Sequence, residues 1–418
     1  MREPQPPYAV IVGLDTLGGL QSARIMAGHE VPVVGIARNL AHFACRTKAC
    51  KRIIGADTAS NDCVNALRAL GPEFVQKAVL FPCTDKSVLL ISEHRKQLQE
   101  WYHIQMPDPD VVEMLVDKIR FHFYACAHEL PVPKSFVINC REDAECAAQE
   151  LAFPCILKPR VKTANWEKHT VAKAYKVSNA AELLTRFDCC FAWCEGLIVQ
   201  EWIEGTDAEL YTCNCYFSAN SEPVVTFVSR KVRQWPPQTG SASLCEEYRN
   251  DIVLQETIRL FRDLRFHGQG EVEMKRDSRT GKYFVMEANV GRTTTISAMA
   301  EAGGVELLYA AYCDAVGIPL PVKLEQTYRG VKWIYFRQDI RSALFYWRRR
   351  ELTLKEWWWS WRGRKAEAVF SWRETGPFWR DLSESLFRTW GRWKRKHLRL
   401  ALRRLPRLLL RINDRDVQ

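Results

Sequence analysis

The stretch from Gly268 to Arg292 constrains this chain most, because it places acidic side chains on two facing strands. Short apolar segments flank a turn at Asp277 to Gly281, which predicts a β-hairpin. Residues two apart share one face of a strand. If the strands pair across that turn, Glu273 and Glu287 come close together, with Asn289 beside them.

Adjacent carboxylates raise each other's pKa, so a folded protein does not place them side by side without a compensating charge. A divalent cation removes this cost, and Mg²⁺ takes oxygen ligands that substrate phosphates usually complete. Arg292 follows three residues after Asn289 and is placed to hold a phosphate. A solvated acidic hairpin with a cross-strand network explains the hairpin, taken alone, equally well.

Length, composition and cysteine usage predict an intracellular globular protein. A chain of 418 residues is expected to hold two or three domains, and an apolar fraction of 47% can bury a sizeable core. The 15 cysteines are scattered without a CxxC pair, which favours reduced thiols. The first residues lack a signal-peptide pattern, and no apolar run approaches the roughly 20 residues of a spanning helix. We therefore expect a cytoplasmic location.

The net charge of +11 is concentrated at the C-terminus. Residues Ser383 to Gln418 carry eleven Lys/Arg and three Asp/Glu, a surplus of eight, so the rest of the chain carries only +3. A near-neutral body with a basic tail argues against nucleic-acid binding by the protein as a whole.

The N-terminal segment predicts the opening of a parallel sheet. A buried strand at Tyr8 to Leu14, a helix at Leu20 to Ala27 and a strand at Val31 to Ile36 form a β-α-β unit. Its glycine spacing is G-x4-G-G rather than G-x-G-x-x-G, and no acidic residue ends the second strand. The pattern favours a tight structural turn over a dinucleotide site, so an oxidoreductase is the weakest functional interpretation.

A third buried strand, Ala78 to Pro82, is followed by Thr84 and Asp85. Polar residues at this end of a parallel strand contact ligands in open α/β sheets. Both residues also suit the start of the helix expected from Ser87, and this capping role is slightly favoured.

Two later segments are basic. The strand Phe153 to Arg160 carries Lys158 near its end, where a point charge suits a phosphate. Residues Arg230 to Gly240 predict a basic loop, punctuated by Pro and Gly, that is suited to closing over an anionic ligand. A solvated turn is the alternative.

The order of these motifs resembles the ATP-grasp superfamily, and most closely its predicted ATP-dependent carboligases of the carboxylate–amine ligase type. The resemblance runs from about Tyr8 to Pro321 and into the segment near Leu382, and it rests on the order and spacing of motifs that are individually weak. After the β-α-β unit come Asp117-Lys118, F-P-x-I-L-K-P, V-Q-E-W-I-x-G, the pair V-E-M-K-R-D and E-A-N-V-G-R, and A-E-A-G-G-V-E-L-L-Y with G-I-P-L-P.

The resemblance implies an α/β and α+β architecture, in which a Rossmann-like pre-ATP-grasp domain precedes an ATP-grasp fold. The first domain would span 1–115. The catalytic region would span 116–325, with the nucleotide between its two subdomains. A Trp-rich extension packed on the body would span 326–382, and a basic amphipathic tail 383–418.

The resemblance also implies roles for individual residues. Those expected to contact ATP are Lys118 and Lys158 at the phosphates, Gln200, Glu201, Trp202 and Ile203 at the adenine, and Glu209 at the ribose. Those expected to hold one or two Mg²⁺ ions, for which Mn²⁺ can substitute, are Glu273, Glu287 and Asn289. Those expected to act on the transferred groups are Arg292, at the γ-phosphate and acyl phosphate, and Arg230 and Lys231, at the carboxylate or phosphate side.

The sequence departs from the family pattern in two places. The loop that covers the phosphates is glycine-rich in many relatives, but Val161 to Thr170 contains no glycine. Lys162 or Lys168 is therefore a candidate to contact the phosphates in place of the glycine-rich loop. The metal motif reads E-A-N-V-G-R where relatives more often have E-I-N-P-R. The extra residue puts the placement of Arg292 in question.

The implied reaction is ATP- and Mg²⁺-dependent amide formation between a small carboxylate and an amine through an acyl phosphate, with release of ADP. Cell-envelope or secondary metabolism is the expected setting. A membrane-associated ATP-binding scaffold without turnover is the alternative, motivated by the glycine-free loop and the basic tail. Relatives are often dimers, so a homodimer is expected by analogy.

The C-terminal third is rich in tryptophan, with ten of the 15 Trp after Gly330. We expect Trp357 to Trp361 to pack on the body, because exposed clustered Trp promotes aggregation. From Leu398 to Ile412, apolar residues recur at helical spacing among arginines, which suits a helix lying on an anionic membrane surface. Peripheral association with the inner face of the membrane is therefore expected, and a helix that binds a partner or RNA is the alternative.

Overall fold

The computed structural model describes residues 5–161, 163–170, 172–292 and 294–385. Within these ranges the strands form three sheets. The tail that was expected to bind a membrane lies, from residue 386 onward, outside the described residues, and so does Lys162.

The first sheet is parallel and follows the spatial order β3-β2-β1-β4-β5. Its strands are β1 (Ala9–Val12), β2 (Val33–Ala37), β3 (Arg52–Gly55), β4 (Ala78–Pro82) and β5 (Tyr102–His103). The helices of this part of the chain are α1 (Leu17–Gly28), α2 (Asn61–Leu70), α3 (Asp85–Glu93), α4 (Arg95–Leu98), α5 (Pro109–Val116) and α6 (Lys118–Ala127). The predicted β-α-β opening is confirmed.

The glycines between β1 and α1 have a structural explanation. Gly13 adopts a φ of +103°, which turns the chain sharply after β1. A Cβ atom on Gly19 would lie 2.3 Å from the carbonyl oxygen of Gly13, so only glycine lets the helix start so close to the turn.

The segment between Pro109 and Ala127 forms two consecutive helices, α5 and α6. Asp117 has an extended backbone (φ −82°, ψ 109°) and separates α5 from α6. Its carboxylate accepts hydrogen bonds from the backbone N–H of Ile119 and Arg120, so it caps the second helix. The cap places Lys118 at the first position of α6.

The second sheet is antiparallel, with the spatial order β6-β9-β7-β8. Its strands are β6 (Ser135–Ile138), β7 (Cys155–Pro159), β8 (Tyr175–Val177) and β9 (Leu197–Glu201). The accompanying helices are α7 (Arg141–Glu150), α8 (Ala164–His169) and α9 (Ala180–Cys190). The segment Val161 to Thr170, expected as a loop, contains α8, because Trp166 is buried in the core beneath this sheet.

The third sheet follows the order β14-β13-β10-β11-β12-β15-β16. Its strands are β10 (Leu210–Phe217), β11 (Pro223–Trp235), β12 (Ser241–Glu247), β13 (Gly268–Arg276), β14 (Tyr283–Val290), β15 (Lys332–Ile334) and β16 (Lys365–Glu367). The helices around it are α10 (Asp251–Asp263), α11 (Ser297–Gly303), α12 (Leu307–Val316), α13 (Phe336–Arg348) and α14 (Leu354–Ser360). The predicted hairpin is present as β13 and β14.

The basic loop expected from Arg230 to Gly240 is mostly strand. Residues up to Trp235 continue β11 and pair with β12, because cross-strand hydrogen bonds extend through this stretch with two irregularities. Only residues 236–240 form the connecting turn.

Apolar side chains of the first and third sheets share two cores, whereas the second sheet has a core of its own. Val10 and Val272, for example, belong to one shared core, and Ile11 and Trp333 to the other. The second sheet therefore stands apart from the other two, and a cleft remains between them.

The Trp-rich extension packs on the third sheet through a buried carboxylate. Asp339 is fully buried and accepts hydrogen bonds from the indole N–H of Trp357 at 2.9 Å and of Trp361 at 2.8 Å. Trp358 and Trp359 are 62% and 50% exposed, so the expectation that the whole cluster packs inward is wrong for these two. None of the helices that the structure describes is long and apolar enough to cross a membrane.

Candidate active site

The two carboxylates singled out in the sequence face each other across the hairpin. Glu273 on β13 is directly opposite Glu287 on β14, and Glu271 is opposite Asn289. Side chains of directly opposed residues on one face lie close enough to interact. The expected cluster of Glu273, Glu287 and Asn289 is therefore formed by the strand register.

Asn289 connects this cluster to Arg292. Its amide nitrogen donates to Glu271 at 2.9 Å, and its carbonyl oxygen accepts from the Arg292 guanidinium at 2.5 Å. Arg292 also donates to Asp85 at 2.6 Å. The extra residue of the motif is accommodated because Gly291 adopts a φ of +64°, and Arg292 returns to the same cavity.

Lys231 on β11 forms an ion pair with Glu273, one of the two opposed carboxylates. Its ammonium lies 2.5 Å from the Glu273 carboxylate, and both side chains are largely buried. Burial opposes the charge on Lys231, but Glu273 and, more weakly, Glu287 outweigh it and raise the pKa of this lysine above its ordinary value. Lys231 is therefore a permanent cation at this site.

The electrostatic environment shifts the pKa values of Glu287 and Glu271 in opposite directions. Enclosure by the cleft opposes the charge of Glu287, but surrounding lysines, Lys118 first among them, hold its pKa at about 2. Its side chain remains open to the solvent of the cleft. Burial raises the pKa of Glu271 to about 7, and Arg292 offsets this only in part. Glu287 is therefore fully ionised at neutral pH, as a metal ligand must be.

These residues line a cleft of about 660 Å³ between the three sheets. Such a volume is typical of sites for small molecules and cofactors. The residues predicted from the sequence that line it are Lys118, Lys158, Glu201, Trp202, Ile203, Lys231, Glu273, Glu287, Asn289 and Arg292. Asp85 and Thr84 also line it, and Thr84 caps α3 as expected.

Three predicted site residues lie outside this lining. Gln200 is behind the surface, where its side-chain oxygen accepts from Lys158 at 3.0 Å. Arg230 alternates with Lys231 along β11, and its guanidinium pairs with Glu246 at 2.6 Å on the opposite face. The expectation that Arg230 faces the same side as Lys231 is therefore wrong. The Glu209 carboxylate lies 3.4 Å from Arg276, and its ribose role remains a prediction.

Trp202 lies among cations at the predicted adenine end of the cleft. The ammonium of Lys176 is 4.0 Å from the centre of one of its rings, and that of Lys275 is 4.7 Å away. Burial lowers the pKa of Lys275. Cation–π contacts of this kind fix the indole ring in place.

Comparisons with known proteins identify the fold. No family model matches the chain. N5-carboxyaminoimidazole synthetase from Staphylococcus aureus superposes with a TM-score of 0.60 at 14% identity, over 78% of this chain and 82% of that one. L-amino acid ligase from Bacillus licheniformis superposes with a TM-score of 0.59 at 13% identity, over 78% of each chain. The chain has the ATP-grasp fold.

A curated relative supports the same ATP-grasp assignment at the level of sequence. D-aspartate ligase of Enterococcus faecium (strain Aus0004) is 26% identical in an alignment of 232 residues that covers 51% of this chain and 53% of that protein. The chain thus spans about half the length of this relative. The biotin carboxylase domain of Hydrogenobacter thermophilus 2-oxoglutarate carboxylase, solved with MgADP, ADP and bicarbonate, superposes with a TM-score of 0.61 at 13% identity, over 78% of this chain and 72% of that one.

Sequence reasoning missed some lysines that the ATP-grasp cleft brings together. Lys173 lines the cleft, donates to Ser241 at 3.0 Å and lowers the pKa of Glu287. Lys275 lines it as well. Lys275 belongs to the quoted V-E-M-K-R-D motif, and its position two residues after Glu273 is the signal that could have placed it on the same face. Lys173 follows a loop whose path the sequence does not specify.

Proposed function

We propose that the protein is an ATP- and Mg²⁺-dependent ligase that joins a small carboxylate to an amine and releases ADP and phosphate. The observation that carries the proposal is the pairing of Glu273 with Glu287 in a cleft that also holds Lys118 and Lys158. The names of two relatives, D-aspartate ligase and L-amino acid ligase, favour an amino acid as one of the substrates.

The donor set fits Mg²⁺. Glu273, Glu287 and Asn289 present carboxylate and amide oxygens, which are the ligands that this hard cation prefers. Nowhere in the part of the chain that the structure describes are three or more His, Cys, Asp and Glu side chains grouped to hold a metal ion, so these two carboxylates and one amide leave the other positions to phosphate oxygens and water. When bound, Mg²⁺ would supply positive charge next to the phosphate oxygens, where negative charge concentrates.

The reaction follows from the weakness of a carboxylate as an electrophile. A carboxylate oxygen attacks the γ-phosphorus of ATP, the bond to ADP breaks, and an acyl phosphate forms. The amine nitrogen then attacks the acyl carbon, the bond to phosphate breaks, and the nitrogen loses a proton. Lys158 and Arg292 offset the charge of the transferred group, and this is the main contribution that a phosphoryl-transfer site makes.

Exclusion of water protects the acyl phosphate until the amine arrives. The turn at 236–240 reaches the cleft through Gln238, Thr239 and Gly240. Asp207 holds this turn, because its carboxylate accepts from the backbone N–H of both Gln234 and Gln238. We assign the covering role to this turn.

Because ATP is the co-substrate, we propose that the reaction takes place in the cytoplasm. The homodimer and the setting in cell-envelope or secondary metabolism stay predictions by analogy with the family. The alternative is an ATP-binding scaffold without turnover. The intact set of Glu273, Glu287 and Asn289 argues against loss of turnover, because the oxygen ligands that a phosphoryl-transfer site needs are all retained.

The proposal is tested by thermal unfolding and by ADP release. A ligand at 100 times its Kd stabilises the native state by about 2.7 kcal/mol, so Mg·ATP should raise the Tm of the wild type. Glu287→Gln should keep its fold without ligand and lose this response. A screen of acid–amine pairs that starts with aspartate should then give ADP. Stabilisation by ATP without ADP from any pair would favour the scaffold, and no stabilisation would reject both functions.

A further inference from the structure

Exposed large hydrophobic side chains are concentrated in one part of the fold. Of the 19 that the described part of the chain exposes, ten lie between residues 336 and 379. They are Phe336, Ile340, Leu344, Phe345, Trp347, Leu354, Trp358, Trp359, Trp372 and Trp379. A concentration of this kind marks an interaction site, whereas scattered exposed residues are normal.

Helical spacing aligns part of this set. Ile340, Leu344 and Trp347 are four and three residues apart on α13, so they form one stripe. Leu354 and Trp358 are four apart on α14 and form a second exposed stripe, although Trp357 of the same helix packs inward against Asp339. We call these five residues the outer stripe.

The inner face of α13 is firmly attached, so the exposure of the outer stripe does not come from a loosely docked helix. The Tyr346 hydroxyl donates to the buried Asp207 at 2.6 Å. The Ser342 hydroxyl donates to the backbone carbonyl of Gln234 at 2.9 Å. Buried Arg233 pairs with Asp339 at 2.8 Å. These contacts fix α13 to β11 and to Asp207, while its three residues of the outer stripe, Ile340, Leu344 and Trp347, remain exposed.

The surroundings of the outer stripe are cationic. Residues 340–365 contain eight Lys/Arg and two Asp/Glu. The exposed cations of this segment are Arg348, Arg349, Arg350, Lys355, Arg362, Arg364 and Lys365. Arg362 stacks 3.6 Å above a ring of exposed Trp359. Apolar and aromatic side chains beside a dense group of cations are typical of a surface that lies in the interface of an anionic bilayer.

We propose that the outer stripe docks on an anionic lipid surface, with Trp358 and its apolar neighbours inserted at headgroup depth and the arginines paired with lipid phosphates. An anionic lipid surface is favoured because its negative charge complements the cations around the outer stripe. The basic tail of the same chain, with a surplus of eight positive charges, would meet like charge on this surface. The proposal does not depend on the ligase activity.

The test uses the full chain and sedimentation with vesicles of phosphatidylcholine, alone or with phosphatidylglycerol. The variant Leu344→Ser/Trp358→Ser changes two exposed residues of the outer stripe. The matched control is Val75→Ser/Ile252→Ser, because these residues are 101% and 52% exposed on other surfaces. An unchanged Tm and an unchanged response to Mg·ATP confirm that each variant is folded.

We expect the wild type and the control to bind the anionic vesicles, and the stripe variant to bind at least about tenfold more weakly, since two apolar groups no longer insert. Vesicles with brominated acyl chains should quench the fluorescence of the wild type more than that of Trp358→Phe. Wild-type binding should also persist in part at high salt, which screens charge but not insertion.

Three results would overturn the proposal. The first is absence of wild-type binding to anionic vesicles. The second is equal binding by the stripe variant with complete loss at high salt, which would assign the binding to the basic tail. The third is a dimer in light scattering that the stripe variant converts to a monomer without vesicles, which would make the outer stripe a contact between two copies of the chain.

Discussion

Lys231 on β11 and Glu273 on β13 form a 2.5 Å ion pair that reaches across the intervening strand β10. The strand order places a cation from a distant segment over the carboxylate that the hairpin contributes to the predicted metal site. Lys231 therefore orients Glu273 and offsets part of the negative charge before any metal ion binds.

This relationship predicts different outcomes for two neighbouring residues. Lys231→Met should lower kcat by about 10²–10³, the usual effect of removing one electrostatic group that stabilises developing charge. Arg230→Met should keep kcat within about threefold, because its guanidinium pairs with Glu246 on the other face. Steady-state ADP release measures both. An equal loss of kcat in the two variants would show that the face of β11 on which a side chain lies does not decide whether it contributes to catalysis.

Gln200 should contribute to ATP binding indirectly, because it positions the Lys158 ammonium. It is 7% exposed and links the Lys158 ammonium at 3.0 Å to the Ser135 hydroxyl at 3.1 Å. A hydrogen bond to a charged group is worth about 1.5–3 kcal/mol, so Gln200→Leu should weaken Mg·ATP binding by roughly tenfold or more. Isothermal titration calorimetry measures the Kd, with Ser135→Ala as the milder control. An unchanged Kd in Gln200→Leu would rule out a positioning role.

Asp339 should be one of the residues most important for stability. It is fully buried and joins Arg233 to the indoles of Trp357 and Trp361. Removing one partner of a buried pair leaves an uncompensated charge, so Asp339→Ala should lower the free energy of unfolding by about 3–5 kcal/mol. Urea unfolding measures the loss. Arg233→Met/Asp339→Leu, which removes both charges, should recover much of it, and failure to recover would assign the loss to packing.

The buried thiols of the third sheet should resist alkylation. Burial raises the pKa of Cys213 and of Cys245 to about 12, so at pH 8 almost none of either is thiolate. The exposed cysteines are Cys126, Cys140, Cys146 and Cys189. Iodoacetamide should modify these four first and reach the buried pair only on unfolding, and peptide mass spectrometry identifies the modified residues. Early modification of Cys245 would mean that the cleft opens to reagent beside Lys231.

The sequence alone predicted most of the hairpin site, because local rules are sufficient there. Alternation along two strands and a short turn fix Glu273 opposite Glu287, and the motif order placed Lys118, Lys158 and Trp202 in the same cleft. The same rule, applied within β11, would have separated Arg230 from Lys231. Arg230 and Lys231 were expected on one side because a basic loop was predicted from Arg230 to Gly240, and alternation does not apply in a loop.

Other features depended on contacts between distant segments, which no local pattern contains. The segment around Trp166 was expected to be a loop, but it forms α8, because the Trp166 side chain is buried in the core of the second sheet. Trp357 and Trp361 pack inward because their indole N–H groups donate to Asp339. Trp358 belongs to the same aromatic run but is exposed. Local spacing thus determined which residues share a face in this protein. Tertiary packing decided which faces are buried, because burial depends on what the rest of the chain brings against them.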